Sequence, residues 1–142
     1  MRTHYERMIR DTEVRAERAL KKQNQDGGSP WFGAIVMPDG VYMQKYTLIC
    51  VADMAAVYLN TGSRLYHDER LLTAMLRGLD YAASTQHENG LFDYITCNFF
   101  SAPDTAFCGG IILPARQYLA ARETLRVRIK AFEIKTFLLH LA

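Results

Sequence analysis

The 18 positions from His87 to Asp104 collect His87, Asp93, Tyr94, Asn98, Ser101 and Asp104, side chains able to move protons, carry charge or bind polar groups. Histidine and tyrosine serve as general acids and bases, and glycoside hydrolysis needs two carboxyl groups a set gap apart. Asp93 and Asp104 suggest such a pair, and Asp26 or Asp39 in an earlier loop is an alternative partner. Trp31, the sole tryptophan, lies in that earlier loop with Phe32 and Tyr42, the residue types of a sugar-stacking platform. Each also has a structural reading. His87 follows a helix C-terminus, where a cation is favoured. Tyr94 and Trp31 suit packing, Asn98 suits loop backbone groups, and Asp104 suits a helix N-terminus.

Other chemistries lack their residues. There is no phosphate-binding loop, zinc motif, dinucleotide glycine pattern or nucleophile elbow, so neither a metal nor another cofactor is expected. Cys50, Cys97 and Cys108 are odd in number and contain no CxxC spacing, which points to free thiols in a reducing compartment, the cytoplasm. Lys plus Arg number 17 against 15 Asp plus Glu, with no basic run, so nucleic acid is not an expected partner. The longest apolar stretch, Leu48 to Leu59, is broken by Asp53 and too short for a bilayer. The N-terminal residues are charged and lack the apolar core of a signal peptide.

The elements that must position these residues read as helices. A chain of 142 residues, 49% hydrophobic, makes one domain or a piece of one. Helices are predicted near 5–23, 45–60, 68–86 and 104–121, from apolar residues three or four apart and from breakers between them. The second is apolar nearly all round, as a buried helix is. A short extended piece falls within 32–37, and strand-like residues fill Leu91 to Phe100. Pro103 and Asp104 suit the first turn of the fourth helix. Gly109, Gly110 and Pro114 inside it predict a kink or a close helix–helix approach. The segment from Arg122 to Ala142 is helix-prone, though Leu125 to Lys130 alternates like a strand.

Two stretches repeat. Gln23-Asn24-Gln25-Asp26-Gly27 matches Gln86-His87-Glu88-Asn89-Gly90, 63 residues later. Each ends a polar-faced helix and leads through an aromatic loop into a more apolar helix. The glycine is expected to take a left-handed conformation and end the helix. Stacked helical hairpins follow, with both loops at one end, Trp31 near Tyr94, and the second and fourth helices the more buried.

This arrangement resembles the (α/α) toroids of carbohydrate-active enzymes. The runs Gln86 to Asp93 and Thr96 to Phe107 are similar to bacterial proteins near the heparinase II/III type of polysaccharide lyase. The resemblance implies an all-α fold of antiparallel helical hairpins forming a partial (α/α) toroid. A full ring of six hairpins at about 60 residues each needs roughly 360 residues, so this chain reads as the N-terminal part of one. The resemblance also implies a polysaccharide or oligosaccharide partner and β-elimination. An Asn neutralises the uronate carboxylate, and a Tyr or His takes the neighbouring carbon's proton. Asn98, Tyr94 and His87 are the matching catalytic types, with Trp31, Asp93 and Asp104 as substrate-binding residues. Glycoside hydrolysis comes second. A non-catalytic helical-repeat domain for binding or assembly is the alternative. An open stack of hairpins also predicts self-association through its exposed face.

Overall fold

The computed structural model describes residues 3–95 and 98–122, with side chains from 115 onward excepted. The expectations for Cys97 and for Glu123 to Ala142 lie outside the described residues. Four helices and one small hairpin make the fold: α1 (His4–Lys22), α2 (Gln44–Tyr58), α3 (Glu69–Ser84), β1 (Phe92–Tyr94), β2 (Asn98–Ser101) and α4 (Ala102–Arg122). The fold is mostly helical. Its only sheet among the described residues is β1 paired antiparallel with β2, in the loop before α4.

Each helix starts where the local chemistry allows. Thr3 caps α1, accepting the Glu6 amide hydrogen while the Glu6 carboxylate accepts that of Thr3. Asp68 caps α3 by accepting the Arg70 amide hydrogen. Ser101 precedes α4, and its Oγ accepts the Asp104 amide hydrogen at 3.2 Å. Pro103 then sits in the first turn, where its missing N–H costs nothing.

The centre of the fold is α2, which packs against α1, α3 and α4. Val51, Met54 and Thr47 are fully buried there. At the crossing with α3 the backbones come close at Gly78, where an added Cβ would press on Val51 Cγ2 at 2.8 Å. The outer helices α1 and α3 keep polar faces and bury one stripe each, Ala16 and Ala19 in α1 and Leu71, Ala74, Met75 and Leu79 in α3. The middle of α1 and the α2–α3 connection are tied by Glu13, which is buried. It accepts from the Ser63 hydroxyl at 2.8 Å, the Arg64 amide at 2.9 Å and the Arg64 guanidinium at 3.0 Å.

Three expectations are corrected. α4, expected with α2 to be more buried than α1 and α3, buries only Cys108 and Ile112 over its described side chains, to Pro114; that is fewer than α3 buries, and Phe107 is 61% exposed. Of the kink or close approach expected at Gly109 and Gly110, the close approach is not seen: among the described residues a Cβ on either would meet nothing within 4 Å. Gly27 is not the left-handed residue of the first turn. α1 ends at Gln23 in an extended conformation, and the left-handed glycine comes later, at Gly33. Among the described residues, no helix is long and apolar enough to cross a membrane.

Candidate functional site

The two repeat loops share one hydrogen-bond frame. In the first, the Asn24 amide donates to the Ala34 carbonyl at 2.8 Å and the Gly33 amide donates back to Asn24 at 3.0 Å. In the second, His87 donates to Leu91 at 3.0 Å and Gly90 donates back to His87 at 2.8 Å. Gly33 (φ +86°) and Gly90 (φ +80°) occupy the same left-handed corner, which suits glycine because it has no Cβ. The glutamine before each loop braces that corner: Gln23 Nε2 donates to the Gly33 carbonyl at 2.9 Å, and Gln86 Nε2 to the Gly90 carbonyl at 2.7 Å. The next residue of each loop donates its amide hydrogen to a threonine on the inner helix. Ile35 reaches Thr47 Oγ1 at 3.0 Å and Phe92 reaches Thr105 Oγ1 at 2.9 Å. The buried thiols Cys50 and Cys108 lie one turn beyond those threonines, and burial pushes both up to about 11.

Both loops lie at the same end of the helices. The first packs on α3: Gln23 Nε2 also donates to the Ala74 carbonyl at 2.8 Å, and the Arg77 guanidinium lies 5.5 Å from the Phe32 ring. The second packs on the start of α2, where Gln44 Nε2 donates to the Asp93 carbonyl.

The second loop gathers most of the residues singled out from sequence. Asp93 Oδ1 accepts the Phe100 amide hydrogen at 2.8 Å and meets His87 Nε2 at 2.9 Å. The Phe100 amide, then the His87 hydrogen bond, hold the Asp93 carboxyl below its usual range. With Asp93 ionised, the hydrogen of that bond resides on Nε2, so neutral His87 keeps Nδ1 as the atom able to accept a proton. A second chain runs beside it. Asn98 Nδ2 donates to Ser101 Oγ at 3.2 Å, Ser101 Oγ donates to Asp104 Oδ2 at 2.6 Å, and Lys45 Nζ donates to Asp104 Oδ1 at 2.9 Å. The Ser101 hydroxyl, then Lys45, hold the Asp104 carboxyl low, and the Asp104 hydrogen bond raises Lys45. The Lys45 ammonium stands 5.4 Å from the Tyr94 ring centre and 4.8 Å from that of Phe107.

So His87 and Asp93 are brought together, as are Asn98, Asp104 and, across Lys45, Tyr94. Trp31 belongs to the other loop, where it stacks on Tyr42 with centroids 5.5 Å apart and planes 14° from parallel. Asp26 and Asp39 serve turns: each accepts a backbone amide hydrogen two residues on, from Gly28 at 3.0 Å and Val41 at 3.1 Å. Sequence reasoning missed Lys45 and Gln44, which appear in the chain only as the start of a buried helix. It also missed Thr47 and Thr105. Their signal was present: Thr47/Thr105 and Cys50/Cys108 recur at one constant offset. Among the described residues, no group of three His, Cys, Asp or Glu is placed to hold a metal ion. No protein-family model, curated protein or solved structure matches the chain.

Proposed function

We propose that this chain is a section of an (α/α) toroid that acts on an acidic polysaccharide, by β-elimination before glycoside hydrolysis. The observation that carries the reading is the pairing of His87 with Asp93 beside the Asn98–Ser101–Asp104–Lys45 chain, at the end of the helices that carries both repeat loops. α2 packs against α1, α3 and α4, and this reading takes α2 and α4 as the inner helices of neighbouring hairpins.

In this reading a uronate carboxylate is met by the Asn98 amide and the Lys45 ammonium. Neutralising it lowers the cost of removing the proton on the neighbouring carbon. His87 Nδ1 accepts that proton, with Asp93 as the positioning residue that holds the ring and balances the imidazolium. Tyr94, close to Lys45, is the group that protonates the leaving oxygen in this reading. Trp31 supplies an apolar face for a sugar ring. The exposed α4 face around Phe107 is the surface for self-association, and the two buried thiols suit a reducing cytoplasm.

The test is turnover of acidic polysaccharides by the protein in its natural length, following unsaturated product by ultraviolet absorbance and reducing ends separately. His87→Ala, Asn98→Ala and Tyr94→Phe are each expected to lower kcat by more than tenfold, about 1.4 kcal/mol of barrier. An active protein in which none of the three does so contradicts the site. Reducing ends without a new double bond favour hydrolysis. Binding without turnover favours the non-catalytic domain, a reading supported by the Asn98 amide already being bonded to Ser101.

A further inference from the structure

The exposed aromatic rings at the loop end come in two sets that occupy the same place in the two halves. Tyr42 and Phe100 each stand two positions before an inner helix, α2 and α4. The residue after each bracing glutamine reaches that ring. Asn24 Nδ2 donates to the Tyr42 hydroxyl at 3.4 Å, and the His87 ring lies 4.3 Å from Phe100. Trp31 adds a second ring on Tyr42, and its outer surface is open, at 48% exposure. Phe100 is 54% exposed.

Phe100 also sits at φ +53°, a left-handed conformation that is unfavourable for a bulky residue. The Asp93 carboxylate, accepting its amide hydrogen, holds it there. A core role does not account for a strained backbone that presents its ring to water. An apolar ring face with a hydrogen-bonding side chain at its edge is suited to a pyranose, whose C–H face stacks while its hydroxyls bond sideways. The two halves offer related combinations: Trp31 stacked on Tyr42 with Asn24 at the Tyr42 hydroxyl, and Phe100 with the polar His87 ring packed against it, planes 33° from parallel.

We infer that Trp31 with Tyr42, and Phe100 with His87, are two sugar subsites, one per repeat, which bind separated rings of a single oligosaccharide chain. This rests on the polysaccharide reading above and narrows it to substrates of several residues. Packed helices stand about 8–10 Å apart, so platforms at the heads of α2 and α4 lie further apart than one sugar ring spans. A disaccharide covers one platform. A longer chain covers both, and the second contact then forms intramolecularly.

Calorimetry with size-fractionated hyaluronan and polygalacturonate oligosaccharides tests this. A hexasaccharide is expected to bind at least about tenfold tighter than a disaccharide, the gain of linking two weak contacts. Trp31→Ala or Phe100→Ala each removes that advantage. Phe100→Asn separates ring loss from fold loss, because asparagine tolerates the left-handed backbone. It should unfold no earlier than the parent on heating and still lose the hexasaccharide advantage. Affinity independent of chain length, or full hexasaccharide affinity in folded Phe100→Asn, overturns the two-subsite inference while leaving the polysaccharide reading standing. No binding of either series at any length overturns that reading itself.

Discussion

The two halves of the molecule use one loop frame for different ends. In the first, Gly33 comes ten positions after Gln23, and in the second, Gly90 comes four positions after Gln86. The longer loop is fastened to its neighbour: Gln23 bonds Ala74, and Gly33 lies against the Arg77 backbone. The shorter one carries the ionisable groups, His87 with Asp93 and Asp104 with Lys45. The first half therefore supplies rigidity and an aromatic platform, and the second supplies charge and proton-transfer groups. The charged pairs thus sit on the second loop, whose own ties run to the start of α2 through Gln44 and Lys45.

Glycine substitution should split the halves most widely. A Cβ at Gly33 would run into the Arg77 carbonyl as well as demand a left-handed alanine. Gly33→Ala is expected to cost at least about 3 kcal/mol in urea denaturation. Gly90→Ala meets the conformational penalty, about 1–2 kcal/mol. Equal losses would mean the two corners are not set apart by the α3 contact.

The glutamines come next. Gln23 is 5% exposed and satisfies two carbonyls, so Gln23→Ala should cost about 2–4 kcal/mol. Gln86→Ala, half-buried, should cost about 1–2 kcal/mol. A larger effect at Gln86 would reverse the assignment of rigidity to the first loop.

These glutamines also show what could be read from the chain. The Gln-x-x-(Asp/Asn)-Gly match located two equivalent loops correctly, and helix periodicity placed all four helices within two residues at each end. The match was off in one respect. It aligned Gly27 with Gly90 because both follow an acid or amide, whereas the backbone partner of Gly90 is Gly33. A six-residue difference in loop length is invisible to a short local pattern, since only the hydrogen bonds fix which glycine turns the corner. Lys45 was illegible for a similar reason. Its partner Asp104 is distant in sequence, and nothing local to Gln44-Lys45-Tyr46 marks a charge facing another loop. His87 and Asp93 were legible as types but not as a pair.

Acid should produce the smallest and most general effect. The folded Asp93, Asp104 and Glu13 carboxyls all lie below their usual range; burial pushes Glu13 up, but its bonds from Arg64 and Ser63 outweigh that. A carboxyl depressed in the folded state stabilises above its unfolded pKa of about 4 and loses that contribution as pH falls through the folded value. Tm is therefore expected to hold from neutral pH to about pH 5 and to decline below about pH 4. Glu13→Gln and Asp104→Asn should each flatten that decline, one in each half. A decline unchanged by both substitutions would remove these groups from the acid response.

The most direct test of the loop end as a carbohydrate site is the fluorescence of Trp31, the sole tryptophan of the chain. Acidic oligosaccharides that bind should shift and saturate its emission, with a midpoint equal to the Kd from calorimetry. Phe100→Asn should weaken that titration although it leaves Trp31 in place. Binding seen by calorimetry with no change in Trp31 emission would contradict the account. It would direct attention to the opposite end, to the open groove between Glu6, Arg10 and Arg64.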